Sequence, residues 1–312
     1  MAKVLIAEAM NPIAEKILEE AGHEVVKMPD REEETFRTYI RDCDAVLVRI
    51  LPMGRELMES APKLKVICKH GVGIDNFDLQ AAKDLGIAVT TTPDANGQSV
   101  AEHTAALMLA LSKNLLKIAT GYRTVGWSIK GSCEGIELFH KTIAVIGCGK
   151  IGNRVARMAR NGFDMRVLVY DPYIDEVPEG CEQVASLDAA LAPADFVTVH
   201  CYLDDRSRGL IGPHEFGVMK NSAIFLNCAR GPIVDERALV RALQSGEIGG
   251  AGLDVTDEEP LPKDHPLLNM ENVICTPHYA PTTHEAAVNV ARIAAENAVS
   301  FLRDGTAVGR IV

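Results

Sequence analysis

Short apolar runs alternate with longer stretches in which apolar residues return at helical spacing, and the alternation continues through almost the whole chain. Residues 4–7, 24–27, 45–49, 65–69 and 87–91 read as strands in the first third. Residues 143–146, 166–170, 196–200, 223–227, 250–254 and 273–276 read as strands further on. Brief apolar runs bounded by turn residues suit strands covered on both faces, and strand–helix alternation argues an α/β protein with parallel sheets. Residues 12–21 read as a helix opened by Pro12 and stopped by Gly22. Residues 99–120 read as one long helix, long enough to bridge two domains, with Val100, Leu107, Met108, Leu111 and Leu115 on a broad apolar face. Residues 121–140, rich in glycine and holding Trp127, read as a connecting loop; residues 235–244 and 283–303 read as helices.

A chain of 312 residues suggests two domains of ~150 residues each. The last helix is long enough to return to the first domain. The expected architecture is therefore two doubly wound, parallel-sheet (Rossmann-like) domains, one discontinuous (1–98 and 285–312) and one continuous (99–284). Hydrophobic residues make up 47% and charged residues 24%, as in ordinary globular proteins. The net charge of −11, without any large lysine/arginine cluster, argues against a nucleic-acid partner. No run reaches the ~18 apolar residues of a membrane span, and the start lacks a signal-peptide pattern. The eight cysteines form no C-x-x-C pair, so no metal site is expected and a reducing, cytoplasmic setting fits.

The stretch "TIAVIGCGKIGNRVARMARNGFDMRVLVYDP" supplies the first chemistry. Gly147, Gly149 and Gly152 follow an apolar strand and open a helix, and Asp171 ends the next strand about 20 residues later, which is the dinucleotide-binding context. Gly147 permits the tight turn, Gly149 lets backbone approach a pyrophosphate, and Gly152 lets helix and strand pack closely. Asp171 can accept hydrogen bonds from ribose hydroxyls and repels a 2′-phosphate, which favours NAD over NADP.

Three later residues follow successive strands: Arg230 in "NCARGPIVDERAL", Glu259 in "GLDVTDEEP" and His278 in "TPHYAP". In a parallel sheet all three fall beyond the carboxyl ends, on the edge that carries the glycine loop. Each alone is explained by a structural ion pair, a loop carboxylate or a packed imidazole. Together they suit hydride chemistry at a hydroxyl carbon. Arginine grips a carboxylate through two parallel hydrogen bonds, and histidine moves the hydroxyl proton near neutral pH while glutamate orients it.

With "KHGVGIDNFD", "SVAEHTAALML", "VIGCGKIG" and the three motifs just quoted, the chain resembles the D-isomer-specific 2-hydroxyacid dehydrogenases, closest to their D-3-phosphoglycerate dehydrogenase branch. The resemblance implies a substrate-binding domain and an NAD-binding domain joined by two crossovers, commonly as a homodimer. It implies catalytic roles for Arg230, Glu259 and His278 and a nicotinamide-carboxamide contact for Asp254. It places Lys150, Ile151, Cys201 and Cys228 along the cofactor, and the backbone of Val72 and Gly73 at the substrate carboxylate. Lys69-His70 stands where the branch usually has Arg-Ala. The longer relatives' regulatory domain is not expected beyond Val312.

Arg49 and Lys69 end neighbouring strands and are candidates for a second anionic group. The substrate expected on this reading is a three-carbon 2-hydroxy acid bearing phosphate or sulfonate, of the 3-phosphoglycerate or sulfolactate type. Two alternatives remain open at this point: a glyoxylate/hydroxypyruvate reductase of the same family, and a non-catalytic, corepressor-like protein that senses NAD(H).

Overall fold

A computed structural model describes residues 1–312. Every strand expected from the pattern forms, with ends within one residue of those expected. The first compact unit comprises Met1–Asn96 and Thr282–Val312, the second Gly97–Pro281.

The first unit carries β1 (Lys3–Ile6), β2 (Glu24–Lys27), β3 (Ala45–Val48), β4 (Val66–Lys69) and β5 (Ala88–Thr90), all parallel, in the order β2-β1-β3-β4-β5. β3 and β4 are buried at every position, as strands covered on both faces must be. One face packs under Phe36, Ile40, Leu57 and Met58; the other packs under the helix His284–Asp304 through Ala291, Ala294, Ala295 and Ala298. That stripe of alanines lets the helix lie close to the sheet, and Thr283 caps its N-terminus through the Ala286 N–H. The chain end returns to β5, where the Ile311 N–H donates to the Val89 carbonyl.

The second unit adds β6 (Thr142–Ile146), β7 (Arg166–Tyr170), β8 (Glu182–Gln183), β9 (Phe196–Val199), β10 (Ile224–Asn227), β11 (Gly250–Leu253) and β12 (Val273–Cys275). They form a parallel sheet in the order β12-β11-β10-β9-β6-β7-β8. The order reverses between β6 and β9, which opens a crevice beyond their carboxyl ends. β8 escaped the sequence reading because it is two exposed residues long and has no apolar run.

Two expectations fail between residues 97 and 140. The long helix breaks at Asn114, which adopts left-handed φ +49°, giving helices Gly97–Ser112 and Leu115–Val125. Asn tolerates that conformation better than most residues, so a single position ends the run. The expected loop is helical to Gly131, the 3₁₀ segment Gly126–Gly131 folding back so that Ile129 lies against Gly121. The helix Gly97–Ser112 belongs to the second unit. It presses Leu107 and Leu111 onto Gly252 of β11, where any larger residue would collide. No helix is long and apolar enough to cross a membrane.

Candidate active site

The glycine loop follows β6 at the crevice. Gly147 has φ +86°, and a methyl group there would lie 2.7 Å from the Cys201 backbone nitrogen on the far side of the crevice. A methyl on Gly152 would lie 2.1 Å from the Gly147 carbonyl oxygen. Gly149 is different: nothing stands within 4 Å of that position, so a ligand can reach its backbone. The helix Lys150–Phe163 begins there and directs its first amides and positive dipole end to the same place. Asp171 fastens the loop to the end of β7, accepting the Cys148 N–H (2.8 Å) and the Tyr173 N–H (2.9 Å). An ionised carboxylate has about four acceptor positions, so two remain for ribose hydroxyls. Cys201 and Cys228 follow β9 and β10, and burial pushes their thiols up to about 11 and about 12. Both thiols are therefore uncharged at neutral pH. The cradle fits a dinucleotide.

Arg230, Glu259 and His278 follow β10, β11 and β12, which are neighbours in the sheet. His278 Nδ1 lies 2.8 Å from Glu259 Oε2. Because an ionised carboxylate only accepts, Nδ1 carries the proton of this bond and Nε2 is left as the nitrogen that gives or takes one. Burial would raise the Glu259 carboxyl. The hydrogen bond and charge of His278, the Thr256 N–H and the charge of Arg230 together outweigh it and hold the carboxyl below its ordinary value. The charge on Glu259 therefore persists through neutral and mildly acidic pH and is lost only as pH falls through that lowered value.

Arg230 is half-buried and donates from Nη1 to the Ala229 carbonyl at 2.7 Å. Its loop and the Glu259 loop meet backbone to backbone. A methyl on Gly231 would lie 1.9 Å from the Thr256 carbonyl oxygen.

Asp254 has a task that its sequence position did not disclose. Its buried carboxylate accepts the Thr276 hydroxyl (2.6 Å), the Tyr279 N–H (2.7 Å) and the Ala280 N–H (2.9 Å). It thus clamps the turn that carries His278, whose own N–H donates to the Asp254 carbonyl at 2.8 Å. Three hydrogen bonds of this carboxylate are thus made inside the chain. The clamp holds His278 at φ +51°, a left-handed conformation uncommon for histidine. Behind it, His103 Nε2 lies 3.0 Å from Thr276 Oγ1 and 3.6 Å from Asp254 Oδ1. The threonine hydroxyl already donates to Asp254, so His103 Nε2 carries a proton toward Thr276. Sequence reasoning gave His103 and Thr276 no role. Their signal was a histidine between Glu102 and Thr104 in a helix with an apolar face, and a hydroxyl two residues before His278.

In the first unit, Arg49 follows β3 with an exposed side chain, while Val72 and Gly73 lie half-buried in the turn after β4. Lys69 is placed differently from Arg49. It is 7% exposed, its ammonium donates to the Arg49 carbonyl and to Asn76 Oδ1 (2.9 Å), and it lies over the Phe77 ring. A lysine bonded in this way fastens the loop after β3.

The contact between the Arg230 and Glu259 loops leaves no space for a side chain. Gly231→Ala is expected to cost about 1–3 kcal/mol by overpacking, read as a lower melting temperature in calorimetry. An unchanged Tm would mean that the two loops separate freely.

Residues 105–280 match the family model described as "D-isomer specific 2-hydroxyacid dehydrogenase, NAD binding domain". A D-3-phosphoglycerate dehydrogenase of Methanocaldococcus jannaschii is 43% identical over 307 residues, which is 97% of this chain and 58% of that relative. The chain thus spans little more than half the length of that protein. A glyoxylate reductase of Korarchaeum cryptofilum is 39% identical over 272 residues, 85% of this chain and 81% of the relative. The crystal structure of TT0316 protein from Thermus thermophilus is similar with a TM-score of 0.91 at 32% identity, covering 99% of this chain and 100% of that one. With one family model spanning more than half of its residues and a relative this similar over four-fifths of that relative's length, the chain belongs to the D-isomer-specific 2-hydroxyacid dehydrogenase family.

Proposed function

We propose that the protein is an NAD-dependent oxidoreductase acting between a small 2-hydroxy acid and its 2-oxo acid. The observation that carries this reading is the 2.8 Å contact between His278 and Glu259, on the sheet edge that also bears the glycine cradle. NAD, when bound, accepts or supplies the hydride. Nε2 of His278 takes the hydroxyl proton in oxidation and returns it in reduction, while Glu259 compensates the imidazolium charge. Arg230 holds the carboxylate. Arg49 takes a second anionic group, phosphate or sulfonate. Relatives named D-3-phosphoglycerate dehydrogenase and glyoxylate reductase support the acid class. Because Lys69 is committed to its loop, the second anion rests on Arg49 alone, and this favours keeping glyoxylate or hydroxypyruvate reduction as the second reading.

The reading includes a cytoplasmic homodimer. All eight cysteines are free, as a reducing setting requires. The helix Leu115–Val125 and the 3₁₀ segment after it bury none of their residues, although Leu115, Leu116, Tyr122, Val125 and Trp127 are apolar and 55–72% exposed. Five large exposed side chains within 13 residues suit a covered surface, and a second copy is the proposed cover.

A panel of 2-oxo acids, followed by NADH absorbance, is expected to include turned-over substrates. His278→Gln should lower kcat by ~10²–10⁴-fold with NADH binding retained in fluorescence titration. NADH binding without turnover of any acid in the panel would favour the corepressor-like alternative. Asp171→Ala should narrow the preference for NADH over NADPH in the same assay, and an unaltered ratio would remove Asp171 from cofactor selection. Trp127→Glu should shift the sedimenting species from dimer to monomer. A wild-type protein that sediments as a monomer would rule out the dimer.

A further inference from the structure

The loop after β3 is held with unusual completeness. Glu8, just past β1, is 4% exposed, and its Oε2 accepts three consecutive backbone N–H groups: Arg49 (2.6 Å), Ile50 (2.8 Å) and Leu51 (3.2 Å). Three converging amides form the kind of concavity that elsewhere binds a free anion, and here the chain's own carboxylate fills it. The carbonyls of the same loop are taken from the other side. Lys69 donates to Arg49 O, and Asn76 Nδ2 donates to Leu51 O at 2.8 Å. Lys69 and Asn76 are themselves joined at 2.9 Å, and the Met53 N–H donates to the Asn76 carbonyl. Every backbone polar group of Arg49 and Leu51 therefore has a partner inside the first unit, while the side chains of Arg49 and Ile50 project outward.

A surface loop needs none of this to satisfy its backbone, because water serves as well. Burying a carboxylate and an ammonium is costly even when both are bonded. What the arrangement provides is one loop conformation, and the residue at its start is the exposed arginine.

We infer that Glu8, Lys69 and Asn76 are positioning residues that preset Arg49 for the distal anionic group of the substrate, a phosphate or a sulfonate on a three-carbon acid. The inference deepens the proposed function and rests on its assignment of Arg49. A guanidinium on a fixed backbone loses less freedom when it grips an anion, so the network acts on the affinity for doubly charged acids and not on the proton transfer.

The test measures kcat/KM with NADH for 3-phosphohydroxypyruvate, 3-sulfopyruvate and glyoxylate, each doubly charged acid expressed as a ratio to glyoxylate. The phosphate and sulfonate arms identify which group the loop prefers. Glu8→Gln keeps the shape and removes the charge that the three amides converge on, and Asn76→Ala releases the loop from the opposite side. Each is expected to lower the preferred ratio at least fivefold, through KM, with the melting temperature recorded for both. Arg49→Ala is the control for the underlying reading. If Arg49→Ala collapses the ratio and the other two variants leave it intact, the positioning inference is overturned and the anion assignment stands. If Glu8→Gln and Asn76→Ala depress all three acids equally, the network serves folding alone and the inference fails. If Arg49→Ala itself leaves the ratios unchanged, the anion assignment falls and takes the positioning role with it.

Discussion

The carboxylate of Asp254 holds the reactive edge of the second unit in place. It sits at the end of β11, buried, and gathers a hydroxyl and two amides from the turn after β12. Without those acceptors the turn would have polar groups to satisfy elsewhere, and the left-handed backbone of His278 would keep only the bonds of its own N–H to the Asp254 and Thr276 carbonyls. The imidazole lies within 2.8 Å of Glu259 because the turn has this shape. The carboxylate that partners the imidazole comes from the loop after β11 itself, so a single strand supplies both the clamp and the partner.

The same economy appears in the close approach of backbones. Gly231 and Gly152 stand where carbonyl oxygens leave no space for a side chain, and Gly147 stands against the backbone that follows β9. These contacts draw loops that follow different strands into one surface. Parallel strands make this possible because all their carboxyl ends face one way, so residues far apart in sequence reach one edge without any special fold of the loops.

The first unit solves a similar problem with opposite means. Its loop after β3 carries no glycine between Arg49 and Met53, and the backbone is shaped instead by buried charge from Glu8 and Lys69. Steric fit and buried hydrogen bonds are two ways of limiting a loop to one conformation. The first needs only a missing side chain, and the second needs partners brought from β1 and β4.

The pattern of apolar runs was enough to find the long strands, because strands covered on both faces must be apolar throughout, and Gly147, Gly149, Gly152 and Asp171 were legible because dinucleotide binding demands those residues at short, fixed spacing. Arg230, Glu259 and His278 were legible for a related reason: each follows a recognisable strand, and strand ends share an edge. The break at Asn114 was hidden, since a left-handed asparagine and a helical one are written with the same letter. The roles of Lys69, Asp254, His103 and Glu8 were decided only by tertiary structure. A charged or polar side chain near a strand end reads alike whether it faces a ligand or the chain's own amides. Which of the two occurs depends on partners 7 to 173 residues away, and the residue types alone carry no record of the pairing.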